Sequence, residues 1–368
     1  MRGPSVERLE TSVYTIPTSQ PEADGTIAWD STTIVVVEAF AQSGERGLGL
    51  SYASKAAGVL VQEKLAGVVK GANVEDVRQP WEAMVASVRN IGRPGVAANA
   101  ISAVDIALWD MKARLAGMPL FKLLGPVRDR VPIYGSGGFT SYTQKELNDQ
   151  LCGWVDQGIP RVKMKIGMDW GARAGEDIAR AKAVRQAIGP DPELFIDANG
   201  AYHAKQAIEV AKAMAAEAGV TYFEEPVSSD HLDQLNLVRR STALDIAAGE
   251  YAYDPWYVRN MLAAEAVDIM QADVTRCLGI TGWLQAAQIA YGFAVPFSAH
   301  CAPSVHAQVG CVAPQISHLE FFWDHCRIDS LIFDGAPQPV DGCLRPDPDR
   351  PGLGLELKRA DAEKWRIM

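Results

Sequence analysis

Two lysines in the run Val162-Lys163-Met164-Lys165-Ile166-Gly167 are the first residues in this chain whose spacing suggests chemistry. In a strand, residues two apart share a face, so Lys163 and Lys165 project together. Adjacent ammonium groups repel, and the repulsion makes one easier to deprotonate, as a catalytic base requires. Most such pairs are solvated surface charge. This pair is set apart by a regular series of polar residues on its C-terminal side. Asp197, Glu224 or Glu225, Glu250, Asp273, His300 and Glu320 come in turn, each ending a short apolar run. Counted from Lys165 through Glu224, the intervals are 32, 27, 26, 23, 27 and 20 residues.

A single carboxylate at a strand end commonly caps the next helix. Six polar groups on successive strand ends exceed what capping explains. Asp197, one of Glu224 and Glu225, and Glu250 form a set of three carboxylates that repel unless a cation neutralises them. Oxygen-only ligands suit Mg2+. Glu224 and Glu225 face opposite ways, and parity alone does not choose between them. Asp273 and His300 fall on neighbouring strands, where a carboxylate fixes the imidazole tautomer and raises its basicity. His203, His231, His306, His318 and His325 have no such setting and are read as structural.

These groups need elements to hold them. Eight apolar runs, at 131–135, 161–166, 193–198, 220–225, 244–249, 267–272, 293–299 and 316–322, alternate with helical spacing, clearest at 172–187, 204–218 and 279–291. Eight βα units imply an α/β fold of the closed (β/α)8 type, with the active site at the C-terminal strand ends. Before them, residues 6–16, Thr32–Phe40 and Gly47–Ala53 read as strands, and 54–71, 75–89 and 96–116 as helices, giving a smaller α+β domain. Residues 17–31, with two prolines and a glycine, read as a loop. The expected division is a capping domain over 1–125, a barrel over 126–324, and a segment over 325–368 that packs back on the capping domain.

Composition is ordinary for a soluble globular protein, with 48% hydrophobic and 22% charged residues. A net charge of -10 disfavours nucleic acid as a partner. Six scattered cysteines without a C-x-x-C fit a reducing cytoplasm. There is no apolar signal core at the N-terminus and no run of about 18 apolar residues, so no membrane association is expected.

The pattern resembles the enolase superfamily, and within it the mandelate racemase subgroup. The motifs K-x-K, Asp197-Ala198-Asn199-Gly200, Glu224-Glu225-Pro226, Gly249-Glu250, Gln271 to Cys277 and His300 carry the resemblance, with Ala103 to Asp110 and Leu123-Leu124-Gly125 in the first domain. It implies that Asp197, Glu224 and Glu250 hold Mg2+. It implies that Lys165 is one acid/base, assisted by Lys163, and that His300, paired with Asp273, is the other. Glu320 would bond the substrate carboxylate. Asn199, Ser136 and Tyr134 would line the site. The 17–31 loop would close over it, with Trp29, Asp24 and Thr26 as substrate contacts. A muconate-cycloisomerase-like member would carry a lysine where Asp273 stands, and mannonate dehydratase-like members usually lack the K-x-K.

The implied chemistry is removal of the proton α to a carboxylate, then dehydration of an acid sugar to a 2-keto-3-deoxy acid. Racemisation or epimerisation of a 2-hydroxy acid is the alternative outcome of the same first step. The implied partners are a small carboxylate substrate and further copies of the chain in a homo-oligomer. An amidohydrolase-like barrel would need His-x-His on the first barrel strand, and residues 131–138 contain no histidine. A non-catalytic relative would have lost a ligand or a base, and every expected group is present.

Overall fold

A computed structural model describes residues 3–368. Three antiparallel strands open the chain: β1 (Val6–Ala23), β2 (Ala28–Ala41) and β3 (Arg46–Tyr52), in the order β1-β2-β3. Their centres are rich in β-branched residues, and register pairs Val13 with Val35 and Tyr14 with Ile34. The helix Val96–Leu115 crosses this sheet and buries most of its length. Glycines on β3 permit that approach. A Cβ at Gly49 would lie 2.0 Å from the Ala103 carbonyl oxygen, and one at Gly47 would lie 2.1 Å from that of Ala107. The same helix holds the barrel: Asp105 accepts hydrogen bonds from the Thr281 backbone N–H at 2.9 Å and the Thr281 hydroxyl at 2.7 Å.

Eight parallel strands complete the architecture: β4 (Val131–Gly137), β5 (Arg161–Lys165), β6 (Glu193–Asp197), β7 (Val220–Glu224), β8 (Asp245–Ala248), β9 (Ile269–Ala272), β10 (Phe297–Ala299) and β11 (Ile316–Phe322). Each pairs with the next, and β11 pairs with β4, so the sheet closes. Helices occupy the intervals. The interior below the strand ends is plugged by Tyr134, Phe195, Tyr222, Ala247 and Ile269. The last residues of the chain return to β1, where Ile367 N–H donates to the Val13 carbonyl at 2.8 Å. Among the described residues, no helix is long and apolar enough to cross a membrane.

The expected loop at 17–31 is instead a hairpin. β1 runs on to Ala23 and β2 starts at Ala28, with Glu22 opposite Trp29 and an irregularity between Pro17 and Glu22. The reversal is an Asx-type turn, in which Asp24 Oδ1 accepts from the backbone N–H groups of Thr26 and Ile27. Its tip is seated on the barrel: Thr140 N–H donates to Ala23 O at 2.8 Å, and Trp170 N–H to Gly25 O at 3.0 Å. Docking supplies the order that the proline-rich sequence does not advertise. The 293–299 run also shortens to Phe297–Ala299, because the preceding helix extends to Gly292 and Ala294 takes a positive φ of 56°.

Candidate active site

Register builds the site. Lys165 on β5 lies beside Asp197 on β6, which lies beside Glu224 on β7, so three ionisable side chains share one row. Glu250 comes after β8 and Gly249, whose φ of 139° and close approach to the Gln271 carbonyl oxygen exclude a side chain. Asp273 succeeds β9, His300 succeeds β10, and Glu320 stands on β11. All eight of these groups, counting Lys163, are buried.

The lysines bridge the carboxylates. Lys163 Nζ lies 2.6 Å from Glu224 Oε2, 2.8 Å from Glu320 Oε1 and 3.6 Å from Asp197 Oδ2. Lys165 Nζ donates to Asp197 Oδ2. Ser136 Oγ donates to the Glu320 oxygen that faces Lys163, at 2.6 Å. On the far side, His300 Nδ1 is 2.9 Å from Asp273 Oδ2, while its Nε2 is 3.5 Å from Glu250 Oε2 and 3.6 Å from Glu320 Oε2. Lys165 thus abuts one end of the carboxylate group and His300 the other.

Electrostatics is set by this packing. Burial alone would lower both lysines, but Glu224 and Glu320 around Lys163, and Asp197 against Lys165, outweigh it and raise both above the ordinary range. The mutual repulsion expected of the pair is present at Lys165 and is smaller than the pull of Asp197. Glu224 is pushed up to about 7 by burial, and its neighbouring carboxylates oppose Lys163 there. Both partners of the Lys163–Glu224 contact therefore shift upward, and the firmer ion pair is Lys163 with Glu320, whose carboxyl is held well below its usual range. Burial opposes ionisation of Glu250 too, yet His300, Arg276 and the lysines bring it down to about 2. His300 is raised despite burial, by Glu250, Glu320 and Asp273.

Two buried carboxylate oxygens of this cluster, Glu224 Oε1 and Glu250 Oε2, have no hydrogen-bond partner. Ligand atoms of Glu224, Glu250 and His300 lie within 4.8 Å of one another. An oxygen-rich set with unpartnered buried carboxyl oxygens has donor chemistry that suits a hard divalent cation.

Other expected residues sit apart. Trp29 directs its Nε1–H to Glu22 Oε2 at 3.1 Å and packs edge-on against Phe139 at 5.6 Å. Asp24 and Thr26 bond each other in the turn. Tyr134 belongs to the plug beneath the site. Asn199, at φ 46°, donates its backbone N–H to Asp197 and leaves its buried Oδ1 free. It lines a cavity of about 490 Å³ with Glu225, Ser228, Asp230, Tyr251 and Tyr257.

Two groups at the site, Arg276 and Cys301, were not among the expected residues. Arg276 spans Glu250 at 3.1 Å and Asp273 at 3.4 Å; its position three residues after Asp273 was the available signal. Glu225 is buried and held neutral by burial and by Glu250, Asp197 and Glu224, a state that no spacing announces. Cys301 turns back onto His300 through two successive positive-φ residues, Cys301 and Ala302.

Comparison with known proteins agrees with this architecture. Residues 146–362 match the enolase C-terminal domain-like family, and residues 11–125 match the mandelate racemase / muconate lactonizing enzyme N-terminal domain. The chain belongs to the enolase superfamily, in its mandelate racemase / muconate lactonizing enzyme branch. It is 30% identical to the arabinonate dehydratase of Saccharolobus solfataricus over 348 residues, 90% of each chain. It is 30% identical over 375 residues to the L-talarate/galactarate dehydratase of Salmonella typhimurium, covering 99% of this chain and 91% of that one. The crystal structure of that dehydratase liganded with Mg and L-lyxarohydroxamate superposes with a TM-score of 0.90 at 28% identity, over 100% of this chain and 94% of that one. A mandelate racemase/muconate lactonizing enzyme-like protein from Rubrobacter xylanophilus superposes with a TM-score of 0.95 at 52% identity, over 99% and 100%.

Proposed function

We propose that this protein dehydrates an acid sugar, an aldonate or aldarate, to the 2-keto-3-deoxy acid. The observation that carries the proposal is the placement of Lys165 and His300 at opposite ends of one buried carboxylate group. Similarity to two acid-sugar dehydratases supports the choice of substrate class.

Asp197, Glu224 and Glu250 would hold Mg2+, and the two orphaned oxygens among them fit that role. When bound there, Mg2+ supplies Lewis-acid stabilisation of negative charge that develops on the substrate carboxylate. A Lys or His base beside Mg2+ is the known arrangement of enolase-superfamily sites.

The chain's own residues do the rest. Lys163 binds and orients the substrate carboxylate, and its charge stabilises the enediolate; Glu320, ionised beside it, holds the Lys163 ammonium in place. Lys165 takes the α-proton as a free amine. Were Asp197 to hold a cation, its pull on the Lys165 ammonium would weaken while the repulsion from Lys163 would persist. His300, kept protonated by its acidic neighbours, donates a proton to the departing β-hydroxyl. The Cβ–O bond breaks, water leaves, and the enol takes a proton at C3 to become the ketone. Asp273 holds the imidazole tautomer that presents Nε2.

The same opposed pair would also serve epimerisation, by returning a proton to the other face of the same carbon. The product decides between them. Proton NMR of the Mg2+-supplied protein with aldonic, aldaric and simple 2-hydroxy acids tests the proposal. Appearance of a 2-keto-3-deoxy acid is expected. Conversion of one stereoisomer to another without loss of water would overturn dehydration in favour of epimerisation.

A further inference from the structure

His300 Nε2, Cys301 Sγ and Glu320 Oε2 form a second set of donors at the barrel mouth. It shares no carboxylate with Asp197, Glu224 and Glu250. All three residues are buried, and their ligand atoms lie within 4.8 Å of one another. Their separations carry more information than that bound. Sγ is 3.4 Å from Nε2 and 3.3 Å from Oε2, and Nε2 is 3.6 Å from Oε2. In a tetrahedral zinc site, Zn–S of about 2.3 Å and Zn–N or Zn–O of about 2.0–2.2 Å place sulfur about 3.6 Å from the other donors, and nitrogen about 3.4 Å from oxygen. The observed triangle matches that face of the tetrahedron to within about 0.3 Å, so little movement is required to admit the ion.

The surroundings hold the triangle. Asp273 binds Nδ1 of His300 and so leaves Nε2 free to ligate, a carboxylate–histidine arrangement typical of metal-binding imidazoles. Ser136 and Lys163 hold the other oxygen of Glu320. The Cys301 backbone N–H donates to Glu320 Oε2 at 3.1 Å. Cys301 and Ala302 have φ of 53° and 40°, an uncommon backbone for residues with a side chain, and the double turn brings the thiol back to its neighbour.

We propose that His300, Cys301 and Glu320 bind Zn2+ or another thiophilic divalent ion, and that this ion blocks the enzyme reversibly. Binding replaces the thiol proton, so Cys–SH and Zn2+ give Cys–S⁻–Zn and a released proton; an Nε2 proton, where present, is released as well. The fourth position is left to water. Sulfur and imidazole donors favour Zn2+ strongly over Mg2+, whereas the oxygen-only set favours Mg2+, so the two ions sort between two adjacent sites. The blocking effect, unlike the binding, rests on His300 acting as the acid of the proposed reaction.

The test uses the full chain saturated with Mg2+, with Co2+ alone as a spectroscopic probe and Zn2+ alone as inhibitor. A thiolate-to-cobalt charge-transfer band in the near ultraviolet is expected, bleached by Zn2+ and absent from Cys301→Ser. Zn2+ inhibition is expected to weaken at least about tenfold in Cys301→Ser, each variant measured against its own uninhibited rate, and not to be relieved by more Mg2+. No band in the wild-type protein, or a band that persists in Cys301→Ser, would overturn the site. So would inhibition that is equal in both proteins and relieved by Mg2+, which would put Zn2+ among Asp197, Glu224 and Glu250. The wild-type cobalt spectrum needs no variant and no substrate, so it stands or falls independently of the proposed reaction.

Discussion

His300 and Asp273 stand on adjacent strand ends with Nδ1 and Oδ2 2.9 Å apart, and this bond aims the other imidazole nitrogen at Glu250 and Glu320. Arg276 grips both Asp273 and Glu250 from outside, so the dyad and the neighbouring carboxylate are fixed together.

A dyad that acts as a unit gives non-additive losses. Asp273→Asn is expected to lower kcat by about 10²–10⁴-fold. His300→Asn should lower it similarly, and the double variant by no more than the larger single loss. Multiplicative losses in steady-state kinetics would mean that the two residues act separately.

The carboxylate group should govern metal affinity. Asp197→Asn, Glu224→Gln and Glu250→Gln are each expected to weaken Mg2+ binding at least about tenfold by titration calorimetry, since each removes a carboxylate of the proposed metal set. Glu225→Gln should weaken it far less, because Glu225 is held neutral by burial. Unchanged affinity in all of the first three would remove the metal assignment.

The capping hairpin should make stability depend on pH through Glu22. Burial and Asp324 push this carboxyl up to about 8, and Trp29 and Arg327 only partly offset them. The folded state then holds a proton that the unfolded state has lost between the ordinary carboxylate value of 4.5 and about 8. Stability contributed at this position therefore falls as pH rises through that window. Glu22→Gln should flatten the fall in Tm between those limits, and an unaltered slope would show that Glu22 ionises freely.

Helix-to-sheet contact in the capping domain leaves no space at Gly49. Gly49→Ala is expected to cost about 1–3 kcal/mol, the usual range for overpacking, read as a lower denaturant midpoint. A neutral result would mean that the Val96–Leu115 helix can move off β3.

Much of the site was legible in the sequence because a parallel barrel repeats one arrangement: an apolar strand, then a polar group at its end. Asp197, Glu250, Asp273 and His300 obey that rule, and the row from Lys165 through Asp197 to Glu224 is its direct consequence. Spacing could not choose between Glu224 and Glu225, because the choice lies in which one the register turns towards Lys163. The 17–31 hairpin was hidden for a different reason. Pro17 and Pro21 disrupt the strand pattern, and the contacts that order the segment, at Thr140 and Trp170, lie more than a hundred residues away. The place of Cys301 beside His300 was not legible, because it depends on a left-handed backbone at Cys301 and Ala302 that the sequence does not encode locally.

In the proposed reaction everything follows from Lys165 moving the α-proton. The direct test is the rate at which that proton exchanges with solvent in D₂O, monitored by proton NMR for aldonic and aldaric acids with Mg2+ present. Wild-type protein should exchange or eliminate at least one of them. Lys165→Ala should lose that exchange by about 10²–10⁴-fold while keeping its Tm. Exchange at the wild-type rate in Lys165→Ala would contradict the assignment of the base.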